Sequence, residues 1–187
     1  MSRAGRIVHL NGVGSVGKSS IARAIQEQSE DIWLHVQMDS FLEMLPSRYM
    51  DHDDGLRFVH LNRTPAEVEI RSGPVVERVL SAMPGAVAAL VRCGNNVIVD
   101  DVLIENDASA YRSAWEGLDV LWVGVVAPLN VIEARERNRG DRDIGLARWQ
   151  FERVHCNMRY DLTCDAGSAS PAEIASLILA RIARVFE

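Results

Sequence analysis

The chain has 187 residues, of which 48% are hydrophobic and 25% charged, and its formal net charge is −6. This is the make-up of an ordinary globular protein of one domain, and the acidic balance argues against nucleic acid or an anionic membrane as partner. The longest apolar run, around 120–126, is far too short to span a bilayer, and three cysteines without metal-type spacing suit reduced thiols in a cytoplasmic protein with no leader segment.

Residues 6–10 read as a short buried strand that runs into a Gly-rich turn. Ile21, Ala22, Ile25 and Gln28 recur at helical spacing and predict a helix over 18–29. Trp33 to Met38 reads as a second strand ending at Asp39. Ser40 and Glu43 fit the S-x-x-E capping box, so a short helix is expected to begin there and stop by Pro46. Residues 47–72 read as polar and irregular, with one strand at 58–61. A helix is expected from Pro74 to about Cys93, kinked or split by Pro84-Gly85. A third strand is expected over 96–100 and a helix over 107–116. The fourth strand, 119–126, is almost continuously apolar, as in a parallel sheet covered on both faces. A charged helix over 128–139 and an amphipathic one over 171–186 complete the pattern. Strand–helix alternation predicts a doubly wound α/β fold, three layers around a mostly parallel sheet, as one domain over 1–187.

The segment Gly12-Val13-Gly14-Ser15-Val16-Gly17-Lys18-Ser19 fits G-x-x-x-x-G-K-[ST] and lies between a strand and a helix, as a phosphate loop requires. Its glycines let backbone N–H groups converge on phosphate oxygens, and the following helix adds its positive end. Lys18 is placed to reach the β- and γ-phosphates, the Ser19 hydroxyl to meet Mg²⁺, and Ser20 to complete the nucleotide set. A Gly-rich turn without a ligand is the bland alternative, and the flanking strand and helix weigh against it. Lys18 is also the single lysine among 20 basic residues. The guanine-reading N-K-x-D motif needs a second lysine, so a regulatory GTPase of the usual form is excluded, although GTP as donor is not.

Two acidic sites accompany the loop. Val97 to Asp101 is an apolar strand ending in carboxylates, and such a strand normally places its Asp near Mg²⁺ through water. Asp100 is assigned there and Asp101 to the acceptor side, the division between them staying open. Asp39 sits at the carboxyl edge of the sheet, where ligands of open α/β sheets bind. It is read as the base that accepts a proton from an acceptor hydroxyl. Helix capping is its bland role, which Ser40 and Glu43 already fill. Arg135 and Arg139 are four residues apart, two like charges on one helix face, and Arg142 continues the series. A bound triphosphate would reconcile them, which predicts an arginine-bearing lid over about 135–150, against the alternative of a solvated charged face. Arg142 is assigned to the acceptor as well. Glu133 is expected to pair with Arg137. His9 and His35 are read as satisfied core residues, and Trp149 as a residue able to face the site.

The chain resembles the chloramphenicol phosphotransferase family of P-loop kinases in GVGSVGKSS (12–20), MDSFLEMLP (38–46), VIVDDV (97–102), DVLWVGV (119–125) and EARERNRGDR (133–142). The resemblance spans nearly the whole chain in order. It implies a nucleotide-kinase-like P-loop fold, ATP and Mg²⁺ as co-substrates, and an antibiotic-type hydroxyl as acceptor. By resemblance Asp39 matches the general base, Lys18 and Ser19 the nucleotide residues, and Arg135 and Arg139 the lid arginines; residues 46–72 fall where such kinases contact the acceptor. A metabolite or nucleoside kinase of the same fold is the rival reading. The expected partner is a small hydroxylated molecule, and a homo-oligomer stays open.

Overall fold

A computed structural model describes residues 4–104, 108–140 and 143–186. The chain begins with β1 (Arg6–Asn11), α1 (Lys18–Gln28), β2 (Trp33–Gln37), α2 (Met38–Glu43) and one 3₁₀ turn (Ser47–Tyr49). It continues through β3 (Leu56–Leu61), β4 (Glu67–Ser72), α3 (Pro74–Arg92), β5 (Asn96–Asp101) and α4 (Ala108–Ala114). Last come β6 (Asp119–Val126), α5 (Leu129–Arg139), α6 (Leu146–Phe151), β7 (Leu162–Asp165) and α7 (Pro171–Phe186).

Five strands form one parallel sheet in the order β2-β5-β1-β6-β7. β1, β5 and β6 lie inside it and are nearly all apolar, because helices cover both of their faces. On one side Ile21 and Ile25 of α1 and Ile174, Ile178 and Ile182 of α7 bury against Val8, Leu10, Ile98 and Val123. On the other, Met83, Val87 and Val91 of α3 and Tyr111 of α4 bury against Ile7, Val97 and Val99. The predicted doubly wound three-layer architecture is the one observed. Register places Leu10 beside Asp100 and Asn11 beside Asp101, so the end of β5 and the start of the Gly-rich loop share one sheet edge.

Four local expectations change. The helix α2 starts at Met38 with Gln37 as its N-cap and no side-chain cap, so Ser40 and Glu43 form no capping box. The strand runs straight into the helix, and Asp39 lies in the first helical turn, where a carboxylate meets the positive end of the helix. Residues 47–72 are ordered: β3 and β4 pair antiparallel from Leu56–Ser72 to Leu61–Glu67 as a separate two-stranded sheet. The alternation Glu67-Val68-Glu69-Ile70 carried that strand, with Val68 fully buried and its N–H donating to the Gly145 carbonyl at 3.1 Å. The helix α3 is continuous through Pro84, which is buried and whose carbonyl accepts from Trp115 Nε1 at 2.9 Å. Packing holds together what the local rule would break. By length and composition α3 could cross a membrane, but Met83, Val87, Ala88 and Val91 face the sheet and are buried. Finally, α6 and β7 were not anticipated.

Gly124 on β6 leaves room for the ring of Tyr160, which an added Cβ would meet at 2.7 Å. That ring has little freedom, since the Tyr160 hydroxyl accepts from Asn11 Nδ2 at 2.8 Å and lies 2.8 Å from His155 Nδ1. Gly124→Ala should therefore cost about 1–3 kcal/mol, read as a lower urea midpoint. An unchanged midpoint would show that the ring moves aside freely.

Candidate active site

The Gly-rich loop leaves the carboxyl end of β1 and returns as α1. Gly12 is hemmed in from below, for a Cβ there would lie 2.5 Å from the Val125 carbonyl oxygen. Gly17 caps α1 with φ of 115°, a left-handed conformation that glycine adopts without strain. Lys18 is buried and folds back over the loop, its Nζ donating to the carbonyls of Gly12 at 2.8 Å and Val13 at 3.2 Å. The same Nζ lies 3.7 Å from Asp100 Oδ1. The Ser19 hydroxyl donates to Asp100 Oδ2 at 2.6 Å and accepts from Gln37 Nε2 at 3.3 Å.

Asp100 is buried, which by itself would raise its pKa. The Lys18 charge outweighs that burial, together with His35 and the Ser19 hydroxyl, and holds the carboxyl well below the usual carboxylate range. Asp100 is therefore ionised throughout the neutral range. A serine hydroxyl hydrogen-bonded to an ionised carboxylate is a set of hard oxygen donors, and it fits Mg²⁺, which is held by few protein ligands and keeps most of its waters.

One cavity of about 1420 Å³ opens here. Loop residues from Gly14 to Ser20 line it, with Asp39, Asp100, Arg135, Arg139 and Trp149. The structure thus gathers most of the residues singled out in the sequence. Gly12 and Val13 stand behind the loop and present carbonyls to Lys18.

Asp101 does not join them. Neighbouring strand residues point to opposite faces, and Asp101 turns away from the cavity into the α4 side. There it accepts from the Tyr111 hydroxyl and, at 2.7 Å, from the Val102 N–H, with His9 Nε2 3.7 Å away. It is buried, so the acceptor role expected of it is corrected. Arg142 lies outside the described residues. Arg135 bridges two loops, donating from Nη1 to the Val16 carbonyl and from Nη2 to the Ala166 carbonyl, each at 2.8 Å. Glu133 pairs with Arg148 of α6 rather than with Arg137. His9 is a core residue, packed against Tyr111, Trp115 and Trp122, but neither of its ring nitrogens has a hydrogen-bond partner among the described residues. His35 Nε2 is likewise buried without one. Both depart from the satisfied core histidines expected.

Three buried polar residues escaped the sequence reading. Glu136 accepts from the N–H groups of Gly145 at 2.9 Å and Ala147 at 2.7 Å, and so fastens the start of α6 to α5. Gln150 of α6 accepts from the Gly14 N–H at 2.8 Å, tying that helix to the phosphate loop. Asn11 accepts from the Leu103 N–H at 2.8 Å and donates to the Val154 carbonyl at 2.9 Å and to Tyr160. Beyond Tyr160 stands His155, whose Nδ1 lies 2.8 Å from the phenol oxygen and whose pKa burial and the Lys18 charge lower. Glu136 was hidden in a run of charges that looks solvated. Asn11, a polar residue ending an apolar strand, was the legible signal.

A parallel sheet with this loop after its central strand, a carboxylate ending the neighbouring strand and arginines over the loop defines a P-loop kinase. The chain belongs to the chloramphenicol phosphotransferase-like family, whose profile matches residues 5–183. It is a phosphotransferase of that family. A Mycobacterium tuberculosis (strain H37Rv) protein provisionally named an O-phosphotransferase is 29% identical over 179 residues, covering 91% of this chain and 79% of that one. Among solved structures, the M. tuberculosis APS kinase in complex with AMPPNP and APS superimposes with a TM-score of 0.69 at 17% identity, covering 97% of this chain and 99% of that one. An unliganded sugar kinase from Janibacter sp. gives 0.68 at 16% identity, covering 97% and 96%. A tunicamycin resistance protein of Deinococcus radiodurans gives 0.66 at 17% identity, covering 95% of each chain. At such identities the likeness is one of fold.

Glu136→Ala would leave two amides at the start of α6 without their acceptor, at about 1–3 kcal/mol for each buried group. Faster hydrogen exchange at Gly145 and Ala147 than in the parent chain is the expected outcome. Unaltered exchange would mean that α6 is held from elsewhere.

Proposed function

We propose that the chain phosphorylates a hydroxyl of an uncharged, largely apolar, antibiotic-like small molecule, with ATP as donor. The observation that carries this reading is the make-up of the cavity at the phosphate loop. It is lined by the phosphate loop and also by Leu42, Met50, Leu56, Phe58, Ile70 and Leu80, from α2, the end of the 3₁₀ turn, the β3–β4 hairpin and α3. Those elements add Ser72, Glu43 and Glu77, and none of the described residues they contribute to the lining is Lys or Arg. An apolar wall edged by carboxylates suits a neutral alcohol and disfavours an anionic acceptor such as a sulfated or phosphorylated one. In this reading residues 46–72 are the acceptor-binding insertion. The family description favours an antibiotic over a nucleoside or sugar.

The chemistry then falls to named groups. The acceptor oxygen attacks the γ-phosphorus while the bond to the β,γ-bridging oxygen breaks, releasing ADP. Asp39 takes the hydroxyl proton and aims the oxygen in line; a weak base serves, because phosphoryl transfer is mostly positioning and charge stabilisation. Lys18 leaves the Gly12 and Val13 carbonyls for the phosphates, with the backbone N–H groups of Ser15 and of residues 17–19 around them. Arg135 and Arg139, on the lid of about 135–150, close over the transferring group. Ser19 and Asp100 would hold Mg²⁺, which when bound would neutralise charge on the phosphates.

The test is ADP release measured with chloramphenicol, other hydroxylated antibiotics, nucleosides, sugars and anionic alcohols. Stimulation by neutral apolar alcohols alone is expected, and a screen in which no such compound exceeds the basal rate ends this reading. With the acceptor in hand, Asp39→Asn should keep ATP affinity and lower turnover at least roughly 100-fold. Undiminished turnover would remove Asp39 from the chemistry.

A further inference from the structure

β2 is an outer strand of the parallel sheet, yet its face toward the site is polar. Register sets Gln37 beside Asp100 and His35 beside Ile98, so both side chains share the face of the sheet that carries Asp100. Gln37 donates to the Ser19 hydroxyl, as described above. His35 Nε2 lies 3.5 Å from Asp100 Oδ2, shielded from solvent and without a hydrogen-bond partner among the described residues. A polar atom left so in an interior is costly, and an aliphatic side chain would fill the place without that cost. His35 is not among the described residues that line the cavity. It reaches Asp100.

We propose that His35 is a positioning residue of the cation site, its Nε2–H closing onto Asp100 Oδ2 and holding that carboxylate toward Ser19. The inference rests on reading this loop as a nucleotide and cation site. In the structure the Lys18 ammonium is the main charge near Asp100. When Lys18 turns to the phosphates that balance weakens, and the buried carboxylate depends on its remaining donors, the Ser19 hydroxyl and the imidazole. Closing from 3.5 Å to hydrogen-bond length takes a shift of about 0.5 Å. Outer-shell partners that fix a carboxylate in this way tune cation affinity without touching the cation.

The experiment is a Mn²⁺ titration followed by electron paramagnetic resonance, with a non-hydrolysable ATP analogue bound. His35→Leu fills the space but donates nothing, and His35→Gln restores a donor. Mn²⁺ binding about 10-fold weaker in H35L and largely recovered in H35Q is expected, with cation-free nucleotide affinity equal in all three proteins. In turnover, H35L should need about 10-fold more Mg²⁺ for half-maximal rate and keep kcat at saturating cation. Parent-like Mn²⁺ affinity in H35L overturns the proposal. Equal weakening in H35L and H35Q also overturns it, because packing would then be the cause. Thermal unfolding checks that each variant folds, and H35F carries the same expectation should H35L fail to. Absence of Mn²⁺ binding in the parent chain would instead sink the nucleotide–cation reading itself, and this proposal with it.

Discussion

The structure turns on two buried charges of opposite sign, Lys18 and Asp100, held 3.7 Å apart where the phosphate loop meets the neighbouring strand. Neither would be tolerated there alone, since removing one partner of a buried pair leaves an uncompensated charge. Their meeting requires β1 and β5 to be adjacent and in register, which requires apolar strands covered on both faces, which in turn requires the two helical layers. The loop carbonyls that accept from Lys18 and the serine that donates to Asp100 supply the hydrogen bonds such a pair needs. The arrangement is poised: the carbonyls and the carboxylate that face Lys18 are acceptors a phosphate can replace.

A second set of contacts ties the helices after β6 to this centre. Arg135 grips the Val16 carbonyl, Glu136 beside it holds the start of α6, and Gln150 on α6 reaches back to Gly14. The result is a closed circuit from loop to α5 to α6 and back to the loop. Gln150 and Glu136 are nearly inaccessible, so the circuit is internal, although it is built from a segment whose sequence looks like a charged surface.

How much of this was legible follows from the range of each interaction. The loop, its lysine and the strand ending at Asp100 are local patterns, and the structure has them where the spacing put them. The parallel, doubly covered sheet followed from continuous apolar strands, while its strand order was not read, and the β3–β4 ladder left its alternation in view. Non-local partners were not readable. Glu136 needs α6 to be known, Asp101 needs Tyr111, and Glu133 finds Arg148 at a distance rather than Arg137 one helical turn away. The capping box failed for a related reason: S-x-x-E is a local rule, and the direct run of β2 into α2 overrode it. Pro84 is the same lesson in reverse, with packing preserving a helix that composition argued against.

The hairpin β3–β4 pairs only with itself among the described strands, while the five-stranded sheet carries the phosphate machinery. Its inward side chains Leu56, Phe58 and Ile70 belong to no ladder that β1, β5 or β6 depends on. If the hairpin holds the acceptor as proposed, a lineage built on this scaffold can change what it modifies by altering a short stretch of chain, and sequence drift should concentrate there when the family diverges in target.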